Sequence, residues 1–207
     1  MERHRKLYLV RHGESTGNLS GAFLGLTDCP LTEKGLRQAK ALGLFFSTKT
    51  LARLFTSPLI RAKSTADAIG QQIGLSPIVA PEWIEQDFGH WDGIAVETIR
   101  KHQSVDFEQW RQADIQTAPP GGESLSSVAH RIQSWLNAFR NDFDQKPGDV
   151  AIIAHGGVIQ TALCLLLHTP MRNQWPYLPA AGSVTTLVFN DDQVALTHLG
   201  LPSHLPD

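Results

Sequence analysis

Two short apolar runs each end at a histidine that is followed by glycine. The first run, residues 7–10, leads into Arg11 and His12, and the second, residues 150–154, leads into His155. Short apolar runs are typical of buried strands, and residues just past the carboxyl ends of strands line the ligand crevice of open α/β sheets. If the two strands are neighbours, the two imidazoles face each other beside an arginine. The pattern therefore predicts a site for an anion.

A histidine at the end of a strand can act as a nucleophile. It forms a covalent intermediate that divides phosphoryl transfer into two easier displacements, and its neutral form is available near neutral pH. Only one imidazole nitrogen can attack, so we expect a backbone carbonyl in the Gly13 turn to hold the other nitrogen of His12. Taken alone, His12 is more simply interpreted as a structural histidine. The adjacent Arg11 argues for the catalytic interpretation.

A second arginine follows another strand candidate, residues 53–56. Ser57 and Pro58 are typical of a helix start, which puts Arg61 in the first helical turn. The positive end of the helix dipole favours an anion there, and planar guanidinium groups match the oxygens of phosphate. An arginine in this position could also be merely solvated. Arg11 and Arg61 together predict phosphate as the ligand in preference to carboxylate.

Two glycines follow His155 and leave no side chains that would keep a ligand away from it. His155 and Gly156 are therefore candidate contacts for the same anion. A core histidine after a strand is the alternative interpretation. Two histidines could also indicate a metal site, but no clear carboxylate or cysteine set completes it. We expect no metal.

The candidate general acid is a carboxyl group between two aromatic residues. Expulsion of an alcohol from a phosphate monoester is easier when its oxygen is protonated, and apolar neighbours raise the pKa of a carboxyl group. Glu85 lies between Trp83 and Phe88. Glu82 and Asp87 are competitors, and alternation along an extended segment puts Asp87, but not Glu82, on the same side as Glu85.

The elements that position these residues alternate between strands and helices. Strand candidates are residues 7–10, 53–56, 76–80, 150–154, 184–189 and 194–198. Four helices are predicted, and they follow the N-cap candidate Thr32, the Ser57-Pro58 pair, Glu123 and Gly157. The third of these carries an apolar stripe at helical spacing, formed by Leu125, Val128, Ile132, Trp135, Leu136, Phe139 and Phe143. The alternation predicts an α/β fold, a three-layer α/β/α sandwich with a mostly parallel central sheet. A hairpin turn at residues 190–192 predicts an antiparallel edge strand.

Residues 81–122 are the least regular region and end in Pro119-Pro120-Gly121-Gly122, a strong helix and strand breaker. We interpret them as a cover over the active-site crevice. The sequence contains no internal repeat, low-complexity tract or linker. We therefore expect residues 1–207 to form a single domain.

Composition excludes several classes of protein. The chain has 207 residues, 42% hydrophobic and 18% charged, which suits one globular domain. A formal net charge of −2 gives no reason to expect nucleic acid, which binds clustered Lys and Arg. No apolar run is long enough for a membrane span, and the two cysteines are far apart, as in proteins of a reducing compartment. We expect a cytoplasmic protein that binds neither nucleic acid nor membrane.

Five motifs in order together resemble the histidine phosphatase superfamily, also called the phosphoglycerate mutase-like family. They span residues 7 to 157. These motifs are Arg11-His12-Gly13-Glu14-Ser15 with Asn18, Asp28 to Gly35, Ser57-Pro58-Leu59-Ile60-Arg61-Ala62, Glu85 with Phe88-Gly89, and His155-Gly156-Gly157. The resemblance implies that His12 becomes phosphorylated and that Arg11, Arg61 and His155 hold the transferring group.

The resemblance also implies further roles. The family places its acid three residues before the Phe-Gly pair, which selects Glu85, with Asp87 as the remaining alternative. Ser15, Asn18 and Gly25 match positions that touch the substrate. Leu24 departs from the pattern, because relatives often have Thr or Ser there.

The implied function is a cofactor-independent phosphomonoesterase that acts on a small phosphorylated metabolite through phosphohistidine. Family mutases retain the same residues but carry a longer insertion, whereas the segment 93–121 here is short. The Pro-Gly-Gly-Glu-Ser motif at residues 120–124 most resembles the α-ribazole phosphatase branch of cobalamin biosynthesis. A mutase and a non-catalytic phosphate-binding regulator are the alternatives. We expect a monomer or homodimer.

Overall fold

The structure is a computed structural model. It describes residues 5–112, 114–145, 148–190 and 193–202, with the side chains of residues 141–145 excepted. No helix in these ranges is long and apolar enough to cross a membrane.

A six-stranded mixed sheet forms the centre of the fold, in the order β3-β2-β4-β1-β5-β6. Strands β3, β2, β4 and β1 are parallel, β5 is antiparallel to β1, and β6 is antiparallel to β5. The strands are β1 Arg5–Arg11, β2 Leu51–Thr56, β3 Ile78–Val79, β4 Asp149–Ala154, β5 Ser183–Asn190 and β6 Gln193–Pro202.

Helices cover both faces of this sheet. The helices are α1 Glu33–Ser47, α2 Ile60–Ile73, α3 Val96–His102, α4 Ser104–Gln112, α5 Leu125–Gln145 and α6 Gly156–Leu166. Buried residues of α5 and α6 form one hydrophobic cluster on the sheet, and those of α1 and α2 form another. The expected three-layer α/β/α architecture is confirmed.

Strand β1 explains why its sequence is a continuous apolar run. Leu7 and Leu9 belong to the α5/α6 cluster, whereas Tyr8 and Val10 belong to the α1/α2 cluster. Parallel strands with both faces covered need apolar side chains at every position. The strand is therefore central, and its carboxyl end points to a crevice between the two helical layers.

The two predicted helix starts have different outcomes. Thr32 caps α1, since its hydroxyl accepts a hydrogen bond from the Gly35 amide at 3.0 Å. The expected start of α2 at Ser57 and Pro58 is wrong, because the helix begins at Ile60, although Arg61 still lies in the first turn. The Ile60 amide instead donates to a carboxylate from a distant loop, Asp28.

The predicted edge hairpin is confirmed in its pairing. Strands β5 and β6 pair antiparallel, with Asn190 opposite Gln193. Asp191 and Asp192, predicted to form the turn itself, lie outside the described residues, as does the Phe143 side chain of the α5 stripe. The third strand is only Ile78–Val79, shorter than the predicted 76–80.

Residues 81–122 contain α3, α4 and two short 3₁₀ turns. Their aromatic side chains pack on the loop before α1, where the rings of Phe23 and Phe88 stack with centroids 4.5 Å apart. Trp91 and Phe107 are buried in the same cluster. Their role as a cover over the crevice stays a prediction.

We predict that Gly35→Ala lowers the free energy of unfolding by about 1–3 kcal/mol, the usual cost of inserting a methyl group into a packed site. A Cβ at Gly35 would collide with the backbone of Glu14, in the turn that carries His12. Urea denaturation measures the change. Leu36→Ala on the same helix is the control, because Leu36 is 55% exposed. Equal stability of the two variants would contradict this close packing.

Candidate active site

The carboxyl ends of β1 and β4 form the candidate site. Arg11 pairs with Ala154, and the His12 amide donates to the Ala154 carbonyl at 3.0 Å. The next residue on each strand is a histidine, and the rings of His12 and His155 lie with centroids 5.1 Å apart. The structure thus brings the two predicted imidazoles together.

The ring of His12 has a defined tautomer. Its Nδ1 lies 2.7 Å from the Gly13 carbonyl oxygen, which can only accept a hydrogen bond. Nδ1 therefore carries the proton of the neutral ring, and Nε2 has a free lone pair. This hydrogen bond is the one expected from the sequence, and it leaves Nε2 as the nitrogen that could act as the predicted nucleophile.

Arg61 is completely buried and connects the loop at residues 25–27 with His155. Its Nη1 donates to the Thr27 carbonyl at 2.8 Å, its Nη2 to the Gly25 carbonyl at 2.7 Å, and its Nε to Nδ1 of His155 at 3.2 Å. Each terminal nitrogen has a second hydrogen. The guanidinium group can therefore hold its position through backbone carbonyls and still donate to an anion.

His155 has partners on both ring nitrogens. Nδ1 accepts from Arg61, so the neutral ring carries its proton on Nε2, which donates to the Ser57 hydroxyl at 2.7 Å. The sequence interpretation missed Ser57 as a partner of this ring. The available signal was the position of Ser57 directly after a predicted strand, and the structure shows that Ser57 is fully buried. In this arrangement Nδ1 carries no hydrogen, so His155 could donate to an anion through Nδ1 only after Nδ1 gained a proton and the Arg61 contact was lost.

Arg11 is oriented by a segment from the far end of the chain. Its Nη1 donates to the Pro179 carbonyl at 2.8 Å, while its buried Nε has no partner among the described residues. A Cβ at Gly156 would lie 3.5 Å from the Arg11 guanidinium carbon. The absence of a side chain at Gly156 thus leaves space beside the arginine, next to an unpaired donor.

Glu85 binds the N-terminus of α6. Its Oε2 accepts from the Gly157 amide at 3.1 Å, and its Oε1 accepts from Val158 at 3.1 Å and from Gln86 at 3.0 Å. The Gly157 and Val158 amides belong to the first turn of α6, where backbone N–H groups have no intrahelical partner. The sequence did not indicate this contact. The Gly156 amide, also in that turn, has no acceptor within the described part of the chain.

The two competitors of Glu85 have other surroundings. Asp87 accepts from the Gly89 amide at 2.8 Å and stabilises a local turn. Glu82 contributes its carbonyl group to a contact with Arg131. Among these three carboxyl groups, only that of Glu85 contacts α6 in the described structure.

Ser15 and Asn18 form a pair. The Ser15 amide and hydroxyl both donate to Oδ1 of Asn18 at 2.9 Å. Ser15 is fully buried, so it supports Asn18, whereas Asn18 is partly exposed and its Nδ2 has no acceptor within the described residues. The Asn18 amide group can therefore donate to a ligand.

Gly25 has both backbone groups engaged. Its amide donates to Asp92 at 2.8 Å and its carbonyl accepts from Arg61. A Cβ there would collide with the carbonyl of Gln86, so glycine permits the close approach of two loops. Leu24, which replaces a hydroxyl residue of the family pattern, packs on Gly17.

Burial and positive charge keep both imidazoles neutral. Burial, followed by the Arg61 charge, lowers the pKa of His12 to about 3, although its bond to Gly13 opposes the shift. Burial first, then His12 and Arg61, lowers the pKa of His155 well below its ordinary 6.5. No group of three His, Cys, Asp or Glu side chains in the described ranges could hold a metal ion.

Comparison with known proteins identifies the family. The sequence profile of the histidine phosphatase superfamily (branch 1) matches residues 7–202, and the chain belongs to this superfamily. Its relatives in the superfamily include phosphatases and mutases. The protein is therefore an enzyme of phosphate ester chemistry.

Three curated relatives illustrate the range of activities named among similar proteins. Phosphoserine phosphatase 1 of Hydrogenobacter thermophilus is 31% identical over 97% of this chain and 94% of its own length. The adenosylcobalamin/α-ribazole phosphatase of Salmonella typhimurium is 28% identical, covering 83% and 84%. A 2,3-bisphosphoglycerate-dependent phosphoglycerate mutase of Gloeobacter violaceus is 34% identical, covering 78% and 75%.

A solved structure has the same fold. The mycobacterial glucosyl-3-phosphoglycerate phosphatase, determined as a complex with inorganic phosphate, superposes with a TM-score of 0.84 at 25% identity. The match covers 98% of this chain and 100% of that one. The six-stranded arrangement is thus that of a known histidine phosphatase.

We predict that the neutrality of His12 makes the fold sensitive to acid. Between about pH 6.5 and pH 3 the unfolded chain binds a proton at His12 that the folded chain does not, so the free energy of unfolding falls as the pH falls. At about pH 5 this loss is about 2 kcal/mol. His12→Gln cannot titrate and should lose correspondingly less stability between about pH 7.5 and pH 5 in urea denaturation.

The control for this prediction is His130→Gln, at an exposed position of α5. It should retain the pH dependence of the parent protein. If His12→Gln also retained it in full, His12 would not be held neutral by its surroundings.

Proposed function

We propose that the protein is a phosphomonoesterase that hydrolyses a small phosphorylated metabolite through phosphohistidine at His12. The observation that carries the proposal is the bond from Nδ1 of His12 to the Gly13 carbonyl, which leaves Nε2 with a free lone pair. A neutral imidazole is nucleophilic without prior loss of a proton. Burial, followed by the Arg61 charge, lowers its pKa to about 3, so the ring is neutral at neutral pH.

Unpaired donors around His12 suit the three non-bridging oxygens of a phosphoryl group. The buried Nε of Arg11 lacks an acceptor among the described residues, and Arg61 has two hydrogens that its carbonyl partners do not use. The Gly156 amide at the start of α6 and Nδ2 of Asn18 add neutral donors. Preorganised donors of this kind stabilise the charge of the transferring group.

In the first step, Nε2 of His12 forms a bond to phosphorus while the ester P–O bond breaks. The proton that the leaving alcohol needs comes from the Glu85 carboxyl group, which becomes a carboxylate. Oε2 accepts only one amide hydrogen bond, so it can carry that proton while Oε1 keeps two. The N-terminal amides of α6 stabilise the negative charge that develops on Glu85.

In the second step, water attacks phosphohistidine and gives its proton to the Glu85 carboxylate. The P–N bond breaks, phosphate leaves, and His12 is again neutral. This step restores the acid for the next turnover. Asp87 remains the alternative acid, and its contact with the Gly89 amide, away from α6, argues against it.

Two observations support hydrolysis over mutase chemistry. The phosphoserine phosphatase relative aligns along nearly the whole of both chains, whereas the mutase aligns over about three quarters of each. The segment that connects the Glu85 loop to α5 is short, and its described residues form α3, α4 and one 3₁₀ turn, Gly89–Trp91. A mutase, which transfers the phosphoryl group to a second substrate, would need to protect phosphohistidine from water.

We propose residues 81–122 as a partial cover over the crevice.

The substrate is a phosphate monoester of a small metabolite, with α-ribazole 5′-phosphate and phosphoserine as the first two candidates. The names of the Salmonella and Hydrogenobacter relatives support these two. Hydrolysis of these esters, compared with turnover of 3-phosphoglycerate, ranks the candidates and tests the mutase alternative directly.

We predict that His12→Ala abolishes turnover and the acid-labile phosphoenzyme together, because no other side chain of the site presents a free imidazole lone pair. Rapid quenching of the enzyme with ³²P-labelled substrate measures the phosphoenzyme. Acid-labile label that persisted on His12→Ala would refute the assignment of the nucleophile.

The acid role of Glu85 makes a separate prediction. Glu85→Gln should slow esters of alkyl alcohols by about 10²- to 10⁴-fold but p-nitrophenyl phosphate much less, because p-nitrophenolate leaves without a proton. The ratio of kcat/KM for the two esters is the measurement. Asp87→Asn is the matched control, and it should leave the ratio unchanged. An equal loss on both esters would indicate a displaced site instead of a missing acid.

A further inference from the structure

The Glu85 loop, residues 82–87, has little regular structure of its own. It overlaps one short 3₁₀ turn, Pro81–Trp83, and has neither helix nor strand from Ile84 to Asp87. A general acid must nevertheless lie within hydrogen-bond reach of the leaving oxygen. Contacts outside the loop must therefore fix the position of its backbone.

Arg131, on the second turn of α5, donates hydrogen bonds to the backbone of this loop. Its Nη1 donates to the Glu82 carbonyl and its Nη2 to the Glu85 carbonyl at 3.3 Å. The two carbonyls lie three residues apart, one at the start of the loop and one at Glu85 itself. A single planar guanidinium group thus spans the segment that carries the acid.

Glu123 in turn holds Arg131. Its carboxylate accepts from Nε of Arg131 at 2.9 Å and from Nη2 at 3.1 Å, a bidentate pair in which both side chains are about one fifth exposed. Paired bonds of this geometry restrict the guanidinium plane. The remaining hydrogens of the guanidinium group are then directed at the carbonyls of Glu82 and Glu85.

The backbone of Glu123 makes further bonds to the same loop. Its amide donates to the Asp87 carbonyl at 2.8 Å, and its carbonyl accepts from the Gln86 side chain at 2.8 Å. A Cβ at Gly122 would lie 2.5 Å from the Asp87 carbonyl, so the turn fits against the loop without space for a side chain. Glu123 and Arg131 therefore bind the loop at both ends.

We propose that Arg131 and Glu123 are positioning residues of the reaction: their ion pair fixes the backbone of Glu82 to Asp87 and so holds the Glu85 carboxyl group against α6, where it protonates the leaving group. The inference rests on the proposed acid role of Glu85. Neither residue touches the phosphoryl group. Arg131 is nevertheless close enough to the site for its charge to lower the pKa of His155.

The test compares Arg131→Met and Glu123→Gln with a control variant that removes an exposed ion pair. Both variants should lower kcat/KM for alkyl phosphates by about 10-fold or more and for p-nitrophenyl phosphate by less than about 3-fold, since only the first ester needs the acid. The control is Arg111→Met, which removes an exposed Arg111–Glu108 pair on α4. It should leave both values unchanged.

Hydrogen exchange provides a readout that does not depend on activity. The amides of residues 82–87 should exchange faster in Arg131→Met, while those of β1 and β4 keep their protection. Unchanged exchange in the loop would overturn the proposal. So would an equal loss of activity on both esters, because that result indicates general destabilisation.

A double variant separates this inference from the acid assignment. If Arg131 acts through Glu85, adding Arg131→Met to Glu85→Gln should produce no further selective loss on alkyl esters. A further selective loss would show that Arg131 acts independently and would overturn the proposal. If Glu85→Gln itself is not selective while Arg131→Met still loosens the loop, the acid assignment fails and the structural role of the ion pair stands.

Discussion

The parallel pairing of β1 with β4 is the constraint on which the rest of the site depends. It aligns Arg11 with Ala154, so that the residue following each strand is a histidine and the two rings meet 5.1 Å apart. Both strands are buried on both faces, and a one-residue shift in their register would move each side chain into the opposite helical layer and change the packing there. The hydrophobic core and the distance between the imidazoles are therefore set by the same pairing.

The site concentrates positive charge and buries it. Arg61 is fully buried, yet no carboxylate pairs with it directly in the described residues, and its bonds go to backbone carbonyls and to His155. Removing such a charge from water is costly unless an anion compensates it. Burial, with a smaller contribution from the charges of the two arginines, lowers the pKa of both imidazoles and keeps them neutral. Under the proposed function, an incoming phosphate dianion would compensate this buried positive charge.

Helix α6 serves two groups at its N-terminus. Its first turn follows His155 directly, its Gly157 and Val158 amides bind the Glu85 carboxylate, and its Gly156 amide remains for a ligand. A helix N-terminus stabilises negative charge through these unpaired amides. Under the proposed roles, one rigid element would hold both the acid and the anion, and the ion pair of Glu123 with Arg131 would fix the loop that carries the acid. Small changes in that loop would move the acid without moving the nucleophile.

The sequence by itself determined the two strand-histidine motifs, the two arginines and the alternation of strands and helices, because these depend on residue chemistry and on periodic burial. The tautomer of His12 was also predictable, since its partner Gly13 is the next residue. Only the tertiary structure decided that Glu85 binds amides 72 and 73 residues away, that Ser57 holds His155, and that Arg131 holds the Glu85 loop. Sequence patterns indicate which side chains are buried. They do not indicate which side chain binds the unpaired backbone groups at a helix end, because that depends on how distant segments pack together.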